Sequence, residues 1–310
     1  PLQEILMRPF LEEIRHGTPS YAFQIYHMDL PEKASAVNYH WHRELEILRI
    51  EEGSLTVTDN QTARRGTAGD LFFIMPEHIH TMRTGSAPVR YDAFLFPLSF
   101  LDFASYDDVQ DQFLSPLQQK KLLFPSHLAD VKTRYPKIWA LFGEVLSENT
   151  ARSHGYQLAT KICLLKLFCL LHREGLLVST GDGQDAANPR QIQTLREILM
   201  YINANYQRTL TLAEAADRFH LSPKYFSRYF HQSFGRTFTE YVNDCRILRS
   251  CELLKTTDAS VLTIALSVGF ENVSYFIRRF KDTTGYTPGE YRKTAKGENS
   301  HPSKLSRTFL

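Results

Sequence analysis

The chain has 310 residues, 43% hydrophobic and 23% charged, with a formal net charge of +2. This suits about two domains with a sizeable core. The longest apolar run, Ile162–Leu171, is interrupted by Lys166 and is too short to cross a bilayer, and the N-terminus lacks a cationic-then-apolar pattern, so neither secretion nor membrane insertion is expected.

The charge is unevenly spread. Residues 188–310 carry 18 Lys/Arg against 11 Asp/Glu, a net +7, while residues 1–187 carry 18 against 23, a net −5. Either the surface varies by chance or only the C-terminal part meets a polyanion. Cys163, Cys169, Cys245 and Cys251 lack metal-ligand spacing and sit in helix-like stretches, as expected of buried reduced thiols in a cytoplasmic protein.

Tyr21–His27, Leu45–Ile50, Ser54–Thr58, Leu71–Met75 and Val89–Phe96 read as strands, with Gly53, Asp59-Asn60, Gly66, Gly69-Asp70 and Gly85 as turns. Many short strands with regular turns predict an antiparallel barrel or double-sheet jelly roll with a ligand-sized mouth. From about Asp107 the pattern turns helical. Ile138–Leu146 has apolar residues at helical spacing. Leu158–Arg173 is apolar on more than one face through Leu158, Ile162, Leu165, Phe168 and Cys169, and so needs cover from the barrel or a second subunit. Residues 175–187 read as a linker. Asn188-Pro189 then suits an N-cap and first helical position of a helix running to about Tyr206.

Between Leu210 and Arg292 one unit is written twice, fifty positions apart. Tyr225-Phe226-Ser227-Arg228-Tyr229-Phe230 returns as Tyr275-Phe276-Ile277-Arg278-Arg279-Phe280. Gly235, Thr237 and Glu240-Tyr241 return as Gly285, Thr287 and Glu290-Tyr291, and Leu212 and Ala215 align with Leu262 and Ala265 without a gap. Each copy predicts a short helix, a tight turn and a second helix, capped by Ser222 or Asn272. At 100° per residue, Phe226 and Phe230 face inward while Lys224, Arg228 and His231 face outward, with Ser227 at the edge. In the second copy Phe276 and Phe280 are inside, Ser274, Arg278 and Lys281 outside, and Ile277 at the edge. Such a helix beyond a short turn suits a major groove, where Arg pairs with guanine and apolar groups such as Val273 or Ile277 meet the thymine methyl. The alternative is a helical domain whose outward face is only solvated.

Residues 190–293 resemble the DNA-binding domain of the AraC/XylS family of transcription regulators. The resemblance runs through Ile264-Ala265, Val268-Gly269-Phe270, Ser274-Tyr275-Phe276, Arg278, Phe280-Lys281 and Gly285-Tyr286-Thr287-Pro288. In the first copy it runs through Leu221-Ser222-Pro223, Tyr225 to Arg228, Phe230 and Gly235. It implies two helix-turn-helix units joined by a linker helix, with base-reading positions at Lys224, Ser227 and Arg228, and at Val273, Ser274, Ile277 and Arg278. Val273 and Ile277 stand where many members carry polar residues.

In the N-terminal part, His40 and His42 share the parity of Glu46 on an expected strand, and His80 follows Gly69-Asp70 and Pro76. This spacing resembles the first cupin motif and, in part, the second, where Glu77 replaces the usual Gly. Three readings stay open for His40, His42, Glu46 and His80. They hold a divalent metal such as Fe, Mn, Ni or Zn, or they hydrogen-bond a small polar effector without metal, or they are simply paired polar groups. The resemblance favours a metal-free small-molecule effector, with sugars common; Trp41, Tyr39 and Tyr21 are candidate stacking rings.

The expected fold is α+β in two domains. Residues 1–174 form a cupin-like antiparallel barrel with flanking helices, 175–187 a linker, 188–293 an all-α domain with two helix-turn-helix motifs, and 294–310 a disordered tail. The expected function is sequence-specific promoter binding controlled by an effector. Homodimerisation through helices around 137–174 is expected, and RNA polymerase is a candidate partner. A metal-dependent cupin dioxygenase or isomerase fused to a DNA-binding domain is the alternative.

Overall fold

The computed structural model describes residues 16–31, 35–103, 107–180 and 189–295. The chain falls into two compact units, divided near residue 187, with residues 37–40 of the N-terminal strands grouped with the second.

In the N-terminal unit eight strands form two sheets: β1 (Gln24–Leu30), β2 (Ser35–His40), β3 (Leu45–Glu52), β4 (Ser54–Asp59), β5 (Thr62–Thr67), β6 (Leu71–Ile74), β7 (His80–Thr84) and β8 (Val89–Phe96). One sheet has the order β1-β8-β3-β6 and is extended by His127–Leu128; the other has the order β2-β7-β4-β5. The central strand β3 pairs antiparallel with both neighbours, Leu45 opposite Phe96 and Ile47 opposite both Phe94 and Phe73. β3 and β8 are buried on both faces, which is why they read as near-continuous apolar runs. Leu45, Ile47, Phe73, Phe94 and Phe96 share a core with α1 (Pro136–Ala151) and α2 (Tyr156–Arg173). The opposite parity of the same strands faces the second sheet. A Cβ on Gly66 of β5 would lie 2.4 Å from the Phe72 ring and 3.0 Å from Ile50, so the two sheets pack closely at that point.

The strands expected from sequence are present, with β1 starting three residues later than expected. β5 and β7 were not expected, and the strand expected to carry both His40 and His42 ends at His40 as β2. β5, Thr-Ala-Arg-Arg-Gly-Thr, buries only Gly66 and so lacks the apolar alternation that marks a strand. α1 and α2 extend the expected helices by a few residues. The expected linker begins later than 175, because Val178–Ser179 pairs with Leu122–Leu123 and belongs to this unit. The Asn188 cap, most of the linker and most of the expected tail lie outside the described residues.

The C-terminal unit is all helical: α3 (Pro189–Asn205), α4 (Leu212–Arg218), α5 (Pro223–Phe234), α6 (Phe238–Thr256), α7 (Val261–Ser267), α8 (Val273–Thr284) and α9 (Pro288–Ala295). α6 serves both copies. Phe238 and Tyr241 at its start pack on Phe226, Phe230 and Phe234 of α5. Ile247, Cys251 and Leu254 further on join Ile264, Phe276, Phe280 and Tyr291. Two capping boxes open α6 and α9. The Thr237 N–H donates to Glu240 Oε2 at 2.9 Å, and Thr287 N–H to Glu290 Oε2 at 2.8 Å, while each threonine hydroxyl accepts from the glutamate N–H.

The copies are not in one register throughout. Thr211 and Ser260 are the N-caps of α4 and α7, His220 (φ 55°) and Gly269 (φ 95°) are the left-handed turn residues, and Leu221 N–H bonds Ala216 as Phe270 N–H bonds Ala265. These pairs lie 49 apart, whereas the caps Ser222 and Asn272 lie 50 apart. The ungapped alignment of Leu212 with Leu262 and Ala215 with Ala265 is therefore corrected: Ala215-Ala216 matches Ile264-Ala265, and the second turn holds one extra residue. Leu262 is exposed for this reason. Gly269 is required, since a Cβ there would meet the Tyr206 and Gln207 carbonyl oxygens at 2.7 Å.

Candidate functional site

α5 and α8 are built alike. Ser222 Oγ accepts from Tyr225 N–H at 3.3 Å, and Asn272 Oδ1 from Tyr275 N–H at 2.9 Å, satisfying otherwise unpaired helix donors. Gly235 and Gly285, both at positive φ, end the helices. Phe226, Phe230, Phe276 and Phe280 are fully buried. Lys224, Arg228 and His231 are exposed on α5, as are Ser274, Ile277, Arg278 and Lys281 on α8. Ser227 and Val273 are half-buried, and Val273 packs partly against the core of its copy. Sequence reasoning missed one arrangement. Arg228 lies over the Tyr225 ring at 5.6 Å and Arg278 over the Tyr275 ring at 5.4 Å. The signal was present as a Tyr three residues before each Arg, the spacing of helix neighbours.

In the N-terminal unit, His40, His42, Glu46 and His80 are all buried, and one donor atom from each lies within 4.8 Å of the others. The set was legible, but shared strand parity does not create it. β2 ends at His40 and β3 begins at Leu45, so a turn between them brings His42 alongside Glu46. His80 comes from β7 in the other sheet. Glu77, just before β7, has φ 70°, a conformation that glycine adopts without strain, and its N–H donates to the His42 carbonyl at 2.7 Å. That bond ties the His42 turn to the segment leading into His80.

The imidazole orientations follow from their outer partners. His80 Nδ1 lies 2.8 Å from the His78 carbonyl oxygen and His42 Nδ1 3.2 Å from that of Glu44. A carbonyl only accepts, so each Nδ1 carries a proton and each Nε2 turns inward. Glu46 Oε2 meets them there, 3.0 Å from His80 Nε2 and 3.5 Å from His42 Nε2. Burial opposes ionisation of Glu46, but hydrogen bonds and positive charge from His42 and His80 outweigh it and hold the carboxyl well below the usual range. Tyr91 is pushed up by burial and by the Glu46 charge. Bare Nε2 lone pairs facing a carboxylate would repel it, so this geometry calls for inward protons or a cation among them. Three imidazole nitrogens and one carboxylate oxygen suit a divalent transition metal.

The buried His16, missed in the sequence, places its ring 5.7 Å from His42 and its Nδ1 3.0 Å from the Tyr26 hydroxyl. It precedes the first strand and has no spacing that marks it. Trp41 is half-buried beside the set in sequence. Tyr21 is not part of the set; its hydroxyl donates to Asn149 Oδ1 at 3.2 Å and it lines an open cleft of about 470 Å³ with Phe100 and Lys161.

Two family models match the chain. The AraC-like ligand binding domain matches residues 24–168, and a helix-turn-helix domain matches residues 215–294. The chain is 39% identical over 111 residues to the regulatory protein PocR of Salmonella typhimurium, covering 36% of each protein. It is 23% identical over 256 residues to the uncharacterized HTH-type transcriptional regulator YisR of Bacillus subtilis, covering 80% of this chain and 85% of that one. A crystal structure of ToxT from Vibrio cholerae with bound unsaturated fatty acid is 18% identical, with a TM-score of 0.40 over 89% of this chain and 96% of that one. Both sequence relatives are named as regulators, which supports that class over the enzyme alternative. The matches to an AraC-like ligand binding domain and to a helix-turn-helix domain that spans α5 and α8 place the chain in the AraC family of DNA-binding transcription regulators.

Proposed function

We propose that this chain reads promoter DNA with α5 and α8 in successive major grooves, under the control of a small polar effector held at His40, His42, Glu46 and His80. The observation that carries the reading is the matched pair of capped helices, each burying two phenylalanines and exposing a basic face. Lys224, Ser227, Arg228 and His231 serve the first groove, and Val273, Ser274, Ile277, Arg278 and Lys281 the second. Successive major grooves lie roughly 34 Å apart on one face of the duplex, which a rigid α6 suits. Selection of bound duplexes from a random library tests this reading; enrichment of two motifs supports it, and no enrichment contradicts it.

The effector class is carbohydrate. Hydroxyl groups donate to and accept from imidazole and carboxylate, and the half-buried Trp41 offers a ring for stacking. A thermal-shift screen of sugars tests this, since a ligand at a hundred times its Kd stabilises by about 2.7 kcal/mol. The inward Nε2 atoms around Glu46 favour a second reading, in which the same four residues hold a divalent metal. Stoichiometric metal in protein purified without chelator, lost in His42→Ala and His80→Ala, supports that reading.

The protein works as a homodimer in the cytoplasm, where promoter DNA and RNA polymerase are its partners. Leu158 and Ile162, one turn apart on α2 and 65% and 54% exposed, are the apolar face available for the dimer. Transcription in vitro with and without the protein reads the polymerase contact.

A further inference from the structure

One buried acid is shared between the two helix-turn-helix copies. Asp244 lies on α6 and is only 9% exposed. Its Oδ2 accepts from Arg236 Nη1, in the turn that follows α5, and its Oδ1 accepts from Arg279 Nη2 of α8 at 3.1 Å. One carboxylate is thus shared between a cation of the first copy and a cation of the second. The repeat shows that this junction is particular to the linker. Position 279 corresponds to Tyr229 in α5, whose hydroxyl donates to the Gln191 carbonyl of α3 at 3.1 Å. Each reading helix is tied at this position to the long helix before it, but only the second tie is an ion pair, and only that one also engages the other copy. Asn243 adds a neutral bond to the Tyr275 hydroxyl at 3.2 Å.

We propose that Asp244 is a positioning residue that fixes the separation and rotation of α8 relative to α5, and thereby the spacing of the two DNA half-sites the protein accepts. The inference rests on the DNA-reading function proposed above. Without the carboxylate, the two guanidinium groups, 35% and 27% exposed, lose the acid they share and keep only the charge of the exposed Glu240 nearby. The opposite side of the junction stays tied, because Arg246 donates to the Tyr206 and Arg208 carbonyls at 2.8 and 2.9 Å and Thr209 donates to Glu271 at 2.8 Å. The domain therefore keeps its fold while α8 gains freedom about the remaining ties. Two half-sites bound by one rigid body cooperate only when their separation matches that body.

The full chain is first used to select duplexes from a random library, which returns both motifs and their separation. Wild type, Asp244→Asn and Arg236→Gln are then titrated against the selected duplex, against duplexes with a base pair added or removed between the motifs, and against one with a single intact motif. Wild type should lose about tenfold in affinity when the spacing changes, whereas both variants should bind the selected duplex about tenfold more weakly and bind all spacings within about threefold of each other. Their affinity for the single-motif duplex should match wild type. Spacing discrimination unchanged in a folded variant, or an equal loss on the single-motif duplex, overturns the proposal. Arg236→Gln leaves the Asp244–Arg279 pair in place and carries the test if Asp244→Asn does not fold. A library from which wild type enriches nothing overturns the DNA-reading function itself, which is a separate result.

Discussion

Arg228 and Arg278 each lie over a tyrosine ring three residues earlier, so their guanidinium groups are held on the helix surface before any duplex arrives. Pre-ordering reduces the entropy lost when an arginine pairs with a base. Arg228→Ala should cost about 1–3 kcal/mol in binding and relax preference at one base pair. An unchanged motif and affinity in a titration would contradict that role. Glu77 belongs to the same scale. It holds a left-handed backbone that glycine adopts without strain, while its side chain pairs with Lys120 at 3.0 Å on the surface. Glu77→Gly should raise stability by up to about 1 kcal/mol in thermal denaturation, since αL strain outweighs an exposed ion pair. A loss of stability would show that the ion pair dominates. The four-residue cluster was legible here because its residue types are chemically distinctive. His16 was not, because nothing in its spacing announces that the fold brings it to His42.

Among the elements, the helices were easier to read than the strands. Ser222-Pro223 and Asn272 mark helix starts chemically, and the phenylalanines four apart mark the buried faces. β7, His-Thr-Met-Arg-Thr, carries one apolar side chain, and the polar His80 and Thr81 take its other buried positions, so no apolar alternation marks it as a strand. The extra residue in the second turn was hidden because Ala215 and Ala265 align by identity while their structural places differ. The two capping boxes yield a pH prediction. Glu240 and Glu290 lie below their ordinary value of 4.5, chiefly because the Thr237 and Thr287 backbone N–H groups donate to the ionised carboxylates. A depressed carboxylate contributes stability above its ordinary value and loses it as pH falls through the folded-state value. The melting temperature of the wild-type C-terminal unit should therefore fall as pH drops below about 4.5, and the Glu240→Gln/Glu290→Gln double variant should fall less steeply. Parallel curves would contradict the capping contribution. Gly269→Ala should destabilise the same unit by more than 1 kcal/mol, because positive φ and two carbonyl oxygens both oppose a Cβ. A chemical denaturation curve matching wild type would refute that.

At the scale of the whole molecule, the division into an acidic ligand-binding part and a basic DNA-reading part was visible in the charge distribution and the repeat. The proposed coupling between them carries no such mark, since it depends on equilibria between arrangements rather than on any single motif. An effector controls DNA binding only to the extent that it binds those arrangements unequally, so saturating ligand should change DNA affinity by a measurable factor. The α2 face gives a separate prediction. Leu158→Lys/Ile162→Lys should yield monomers in sedimentation while leaving protomer stability within about 0.5 kcal/mol, because both side chains are already exposed. A dimer surviving that change would place the interface elsewhere. Among the described residues no helix is long and apolar enough to cross a membrane.

The central claim is that one chain reads two major grooves with two unequal helices. It is tested most directly by selecting duplexes from a random library with wild type, Arg228→Ala and Arg278→Ala. The account predicts two motifs about one helical turn apart. Each variant should lose preference at one base pair in a different motif. A single motif, or the same position lost in both variants, would contradict it.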